Sequence, residues 1–296
     1  MKKRKVSLCV MRFVLLVTVA AVAADAPLLT FKFTTVNVPG AVQTYPGGVN
    51  NAGVTVGEYI DTSGATHGYI LKGKKLTTLD DPKAMAGTTA ANNLNPDGAI
   101  SVVGVYTGSN GNTVGFLYKN GKYTDIPGPT VLSAAADSIN DSGEIVGQFL
   151  DTSGVTHGFL LKGQNYTTLN VPHATATVAT GINKSGWIVL YWTNSSGTVE
   201  SSLTKNKGKS YKTINVPGAT STYALDLNAA GDVTYEWLDS GGLAHGALLH
   251  GGKYYKFDHP KSVQTYGGGI NDVGVIAGGF QATSGGPYSG FKATYK

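Results

Sequence analysis

The chain is poor in the residues that most often carry chemistry. It has one cysteine, Cys9, and two arginines, Arg4 and Arg12, in 296 residues. All three fall within the first twelve positions, so the remainder has neither a thiol nor a guanidinium. That excludes disulfides and thiolate catalysis. It also removes the bidentate fork with which proteins usually grip phosphates and base edges, so nucleic acid is excluded as a partner. Charged residues make up only 14%. Beyond the N-terminal segment no apolar stretch keeps a 3.6-residue period, so helix should be scarce. No nucleophile elbow, phosphate loop or cofactor motif stands out, and no cofactor is expected.

The N-terminal segment reads as an export signal, residues 1–24. Met1-Lys2-Lys3-Arg4-Lys5 is a positive n-region, and Phe13 to Ala23 is an apolar run too short to span a bilayer. Ala21-Val22-Ala23 fits the small-x-small cleavage rule, with Ala24 an alternative, and a retained N-terminal anchor is the competing reading. Cys9 precedes the apolar run, which argues against a lipid-modified cysteine. Five of the 23 basic residues lie in this segment, leaving 18 against 18 acidic residues. The pI of about 9.0 therefore belongs to the leader. The expected mature protein is near neutral, secreted or held in the periplasm or at the cell surface. It has no stable membrane insertion after cleavage, and a monomer is expected.

Glycine (41 residues), threonine, valine and tyrosine are what the chain has in abundance, a strand-and-turn composition. Two columns of residues recur in step. One is asparagine, at Asn50, Asn95, Asn140, Asn183, Asn228 and Asn271, each followed three residues later by glycine. The other is proline, at Pro39, Pro82, Pro127, Pro172, Pro217 and Pro260. An Asn that caps its own turn, with glycine at positive φ, makes a tight hairpin. Proline ends the preceding strand because it cannot donate to a ladder. Between these marks lie four strand-like runs per unit, in the third unit about Ser133–Ile139, Ile145–Leu150, His157–Leu161 and Tyr166–Val171. The repeats run over about 31–75, 76–122, 123–165, 166–210, 211–253 and 254–296.

Four short antiparallel strands in each of six units of about 45 residues predict an all-β fold, a six-bladed β-propeller. Residues 31–38 (FKFTTVNV) match the fourth strand of the unit, and the last copy stops after its third. The N-terminal strand is thus predicted to complete the last blade and close the ring. The HGYILKGKK, HGFLLKGQN and HGALLHGGK segments, together with turns such as GVNNAGVTVG and GINDVGVIAG, resemble the bacterial HAF-type extracellular repeat over residues 31–296. That resemblance implies a secreted bacterial protein and no particular activity. The His-Gly tag is replaced by Val114-Gly115, Glu200-Ser201 and Ser289-Gly290 in alternate copies, which argues against a sixfold histidine site.

His67, His157 and His245 occupy equivalent places in alternate units. A ring spreads such positions apart, whereas zinc needs ligands about 2.1 Å from one point. A histidine tying the start of the third strand to a neighbouring loop is the simpler reading. The Asn turns lack the alternating carboxylates of a calcium loop, and no metal site is expected. Tyr45, Tyr223 and Tyr266 stand five residues before the Asn column in three contiguous blades. They should gather at the end of the axial strand opposite the Asn turns, beside loops of Ser, Thr, Asn and Asp. Such a crown suits polyhydroxyl ligands by stacking and neutral hydrogen bonds, whereas plain packing between blades is the alternative. Asp137 and Asp226, near the Asn column on the same strands, are candidate acid–base residues for glycoside chemistry. Lysines of the outer hairpins, among them Lys72, Lys74, Lys119 and Lys205, gather on the other face, for solubility or a weak hold on anionic envelope polymers.

The leading functional reading is a binding module for an extracellular or cell-envelope glycan or protein, without catalysis, with Tyr45, Tyr223 and Tyr266 as ligand-binding residues. The alternatives are a carbohydrate-active enzyme, hydrolase or lyase, using Asp137 or Asp226, and a purely structural envelope protein.

Overall fold

The computed structural model describes residues 29–129 and 132–296, so the leader reading falls outside the described residues. The described chain forms six four-stranded antiparallel sheets arranged as the blades of a propeller. Their innermost strands are Gln43–Val49, Ala90–Leu94, Ser133–Ile139, Ala176–Ile182, Ser221–Leu227 and Gln264–Tyr266. In the third blade the remaining strands run outward as Ile145–Leu150, Thr156–Lys162 and Asn165–Leu169. No described residue is helical.

The repeat and the blade are out of step by one strand. Phe31–Val36 is the outer strand of the sixth blade, paired antiparallel with Tyr288–Tyr295 in the register Phe31↔Tyr295 to Val36↔Gly290. Phe33 meets Phe291 with ring centroids 5.2 Å apart, and Phe31 meets Phe257 of the fifth blade at 4.8 Å. The ring is closed by its first strand.

The repeated residues hold neighbouring blades together as well as shaping single turns. The glycine after each Asn takes φ between 72° and 85°, the region the turn requires. Each column Asn is buried, and its side-chain oxygen caps its own turn: Asn183 Oδ1 accepts from Ser185 and Trp187 N–H, both at 3.0 Å. The amide half does something the turn alone does not require. Nδ2 of Asn140 donates to the backbone carbonyl of Asn183 (3.2 Å), Asn183 to Asn228 (3.0 Å), Asn228 to Asn271 (3.3 Å) and Asn271 to Asn50 (2.9 Å). A chain of amides thus runs from the third blade through the closing blade to the first. At Asn95 the amide turns instead to the Asp97 carbonyl and to Asp141.

A threonine six residues before the Asn ties the opposite ends. The hydroxyls of Thr44, Thr89, Thr177, Thr222 and Thr265 accept from the backbone N–H of Val38, Asp81, Val171, Val216 and His259, which end the preceding outer strands. The third blade has Ala134 there. Apolar packing fills the space between. Tyr69, Phe116, Phe159 and Phe291, equivalent residues of four third strands, are fully buried. A glycine opposite makes the room: a Cβ on Gly147 would collide with the Ala135 carbonyl and the Phe159 ring.

The three histidines are engaged in clasps on the outer edge of the face opposite the Asn turns. Nδ1 of His67 faces Asp80 (2.8 Å) and its Nε2 faces Asp61 (3.4 Å); His245 bridges Asp258 and Asp239 in the same way. His157 joins Asn170 and Asp151, both at 2.9 Å. In the fourth blade Glu200 takes the place of histidine and accepts from Asn194 and Asn215. Among the described residues no cluster of three or more His, Cys, Asp or Glu is arranged to hold a metal ion.

Candidate functional site

The inner strands carry a feature that periodicity does not reveal. In each of blades one to five the register with the second strand slips between the residues four and two before the Asn, a β-bulge that leaves one residue unpaired. A bulge bends the strand and re-aims the extra side chain. The unpaired residues are Gly47, Asn92, Asp137, Thr180 and Leu225, and Gly268 holds the matching place in the sixth blade. All six line one axial cup of about 280 Å³.

The cup has a floor. Asn93 of the second blade donates through Nδ2 to Asp226 Oδ2 of the fifth blade at 3.1 Å, and to Ser138 Oγ at 3.3 Å. Blades two and five stand opposite each other, so this bridge crosses the axis. Asp226 also accepts from Ile270 N–H (3.1 Å). The sides of the cup differ. Blades six and one present Gly267, Gly268, Gly269 and Gly47, where a Cβ would collide with neighbouring backbone. Blades two and three present Asn92 and Asp137, with Asn92 Nδ2 donating to Asp137 Oδ1 at 3.1 Å. Asp137 Oδ2 is shut off from bulk solvent and has no partner among the described residues. Burial pushes the Asp137 carboxyl up to about 7, against the opposing effect of the Asn92 bond. Asp226 is also raised to about 7 by burial, although Asn93 and the backbone N–H groups pull the other way.

Sequence reasoning placed Tyr45, Tyr223 and Tyr266 in one crown; the structure groups them differently. Tyr45 and Tyr266 meet through a third ring, Tyr288, at centroid distances of 4.7 and 4.9 Å. Tyr288 OH donates to Tyr266 OH (2.8 Å), and Tyr45 OH donates to Gln43 Oε1 (2.7 Å). Tyr223 instead packs edge-on against Tyr191 of the fourth blade, at 5.2 Å and 71°. All five rings are half-buried. Tyr45 and Tyr266 immediately precede the cup residues Pro46 and Gly267, and Tyr191 lines the cup itself. Together they form its rim.

Two acids join this rim. Glu58 and Glu236 pair across the ladder with Tyr45 and Tyr223. Burial raises Glu58 above the usual carboxylate range and pushes Glu236 up to about 7. Tyr191 is pushed up to about 12 by burial, then by Asp137, Tyr223 and Glu236, and Tyr266 is raised by burial, Tyr288 and Glu236. Glu236 is therefore the common neighbour of both tyrosine groups. Sequence reasoning missed Tyr191, Glu58, Glu236 and Tyr288. The first three share one column, eight residues after the Asn, and Tyr288 replaces a small residue of the third strand. Both are breaks in the repeat that were open to inspection.

The comparisons bear on the fold. No protein-family model matches the chain, and no match to a curated protein was found. Solved propellers do match. The lectin of Aleuria aurantia, described as a six-bladed β-propeller with a novel fucose recognition mode, is 12% identical, covering 88% of this chain and 93% of that one at a TM-score of 0.52. TolB from Acinetobacter baumannii is 12% identical over 81% of this chain and 65% of its own, with a TM-score of 0.60. The sialidase of Trypanosoma rangeli is 10% identical over 90% and 59%, with a TM-score of 0.55. At such identities the likeness is one of architecture.

Proposed function

We propose that this protein is an exported glycan-binding propeller that holds an extracellular or cell-envelope saccharide at the tyrosine rim of its axial cup. The observation that carries this reading is the set of half-exposed rings, Tyr45–Tyr288–Tyr266 on one side and Tyr191–Tyr223 on the other, above a cup with acceptors to spare. Aromatic faces stack on the apolar faces of sugar rings, and fixed polar groups select hydroxyls. The fucose recognition named for the Aleuria lectin supports sugar binding by a ring of this type; a shared fold alone does not transfer function. Membership of the HAF-type repeat and a bacterial source belong to the same reading and rest on the sequence segments above, and a monomeric state is part of the proposal.

A second reading has its own observation. Asp137 and Glu236 are both pushed up to about 7 and so retain protons near neutrality, as a general acid for glycoside cleavage must. A glycan-array screen run beside a reducing-end release assay separates the two: binding without release supports the module, and release supports the enzyme. Tyr223→Ala should weaken binding by about tenfold or more, from a stacking contribution of about 1–3 kcal/mol, with the fold intact. If binding is unchanged while stability falls by about 3–5 kcal/mol, Tyr223 is a packing residue.

A further inference from the structure

The cup and its rim hold carboxyl groups that no cation balances. The carboxyl groups of Glu58 and Glu236 make neither a hydrogen bond nor an ion pair among the described residues, and Asp137 Oδ2 is buried without a partner. Several acids elsewhere have a basic partner. Glu144 has Lys162 and Lys207, Asp125 has Lys83, and Asp151 has His157. Among the described residues no Lys, Arg or His lines the cup. Five tyrosine rings surround these carboxyl groups, and the face of an aromatic ring attracts cations. A neutral saccharide needs donors as well as acceptors, whereas an ionised carboxylate offers acceptors only.

We propose that the ligand is cationic, a saccharide bearing a free protonated amino group, its ammonium seated between Asp137 and Glu236 and its ring against the tyrosines. This rests on the glycan reading above and narrows it to unacetylated amino sugars. Tyr191 lines the cup with Asp137 and packs at 5.2 Å on Tyr223, the ladder partner of Glu236, and so marks the seat between the two carboxyl groups. The cup of about 280 Å³ lies below the ~300–1,000 Å³ of a drug-sized pocket, so one sugar residue enters it and the rest of a chain lies across the rim.

The same charges make the proposal measurable. The groups facing the seat are Asp137, Asp226, Glu236, Tyr191, Tyr223 and Tyr266. A cation stabilises the ionised carboxylates, so binding near pH 7 must expel protons from Asp137 and Glu236. Affinity should rise as the pH climbs to about 7, then fall as the amine loses its own proton. The test is calorimetric titration of the whole protein with a glucosamine tetramer, an N-acetylglucosamine tetramer and cellotetraose, in buffers of different ionisation enthalpy. The expected result is about tenfold tighter binding of the free-amine tetramer, with proton release. High salt should erase that advantage, and so should D137N or E236Q. D137N keeps the oxygen that Asn92 contacts, and E236Q alters a group with no partner, so both variants should fold. Equal binding of acetylated and free-amine tetramers overturns the proposal while leaving the glycan reading in place. Binding of spermidine with none of the three tetramers overturns both.

Discussion

Asn183 offers a perturbation in which the two halves of one side chain can be separated. Its oxygen caps its own turn through Ser185 and Trp187, and its amide reaches the Asn228 carbonyl of the next blade at 3.0 Å. Asn183→Ala removes all three hydrogen bonds at a site only 2% exposed. Each is worth about 1 kcal/mol net, and the abandoned, buried partners add desolvation cost. The expected loss is about 3–5 kcal/mol, or a fall in Tm of about 6–15 °C for a domain of this size. Asn183→Asp keeps the caps and removes only the donor, setting a carboxylate against the Asn228 carbonyl. Its loss should be about 2–3 kcal/mol near neutrality. Burial and the facing carbonyl should raise that carboxyl against the two N–H donors, so its protonated form, which can donate to the carbonyl, should restore stability as pH falls toward about 4. Urea denaturation of the three proteins at about pH 7 and pH 4, with the m-value compared, measures both effects. If Ala and Asp each cost less than about 0.5 kcal/mol, the amide chain contributes nothing to joining blades. If Asp costs as much as Ala at both pH values, protonation does not restore the interblade donor and the assignment of the amide to joining blades fails.

Removing everything before Thr44 deletes the strand Phe31–Val36 and exposes the edge of Tyr288–Tyr295. About half a dozen backbone bonds at roughly 1 kcal/mol each are lost, so the protein should melt lower or associate through the bare edge; a monomer with unchanged Tm in sedimentation and calorimetry would contradict closure. Asp137→Asn should stabilise the protein at high pH. Because the folded carboxyl is raised to about 7, its contribution is fully present below the unfolded value near 4 and lost as pH rises through 7. The variant should therefore gain about 1–4 kcal/mol over the parent at about pH 8, part of the full shift being screened by water in the cup, and nothing at about pH 4. A pH-independent difference in urea titrations would show that the Asp137 carboxyl is not raised.

What could be read from the chain was whatever repeats. The Asn and Pro columns gave the blade, its turns and the missing fourth strand, because hairpin chemistry is local and each unit states it again. The strands placed in the third unit differ from the observed ones by one or two residues at the outer pair. The cup was hidden because a bulge changes which residue faces the axis without changing composition. Asp137 and Asp226 sit three and two residues before their Asn, and only the register slip makes the first an unpaired axial residue and the second part of the floor. The tyrosine crown was assembled from one column, whereas ring contacts cross columns: Tyr45 finds Tyr288 on a third strand, and Tyr223 finds Tyr191 on a second. The Asn amide chain was likewise out of reach, since its acceptor lies on another blade about 45 residues away.

The unpaired residues of the inner strands belong to no regular ladder, so in the four blades where that residue is not a wedged glycine its side chain can be exchanged with little penalty to the sheet around it. Asn92, Asp137, Thr180 and Leu225 already differ from one another in size and polarity between blades that otherwise repeat their turns, and glycine holds the place at Gly47 and Gly268. Selectivity in such a ring is written like a combination lock, one independent dial per blade. A library randomised at Asn92, Asp137, Thr180 and Leu225 alone should yield folded propellers with altered ligand preference. Gly47 and Gly268, wedged against neighbouring backbone, are the two dials that the architecture holds fixed.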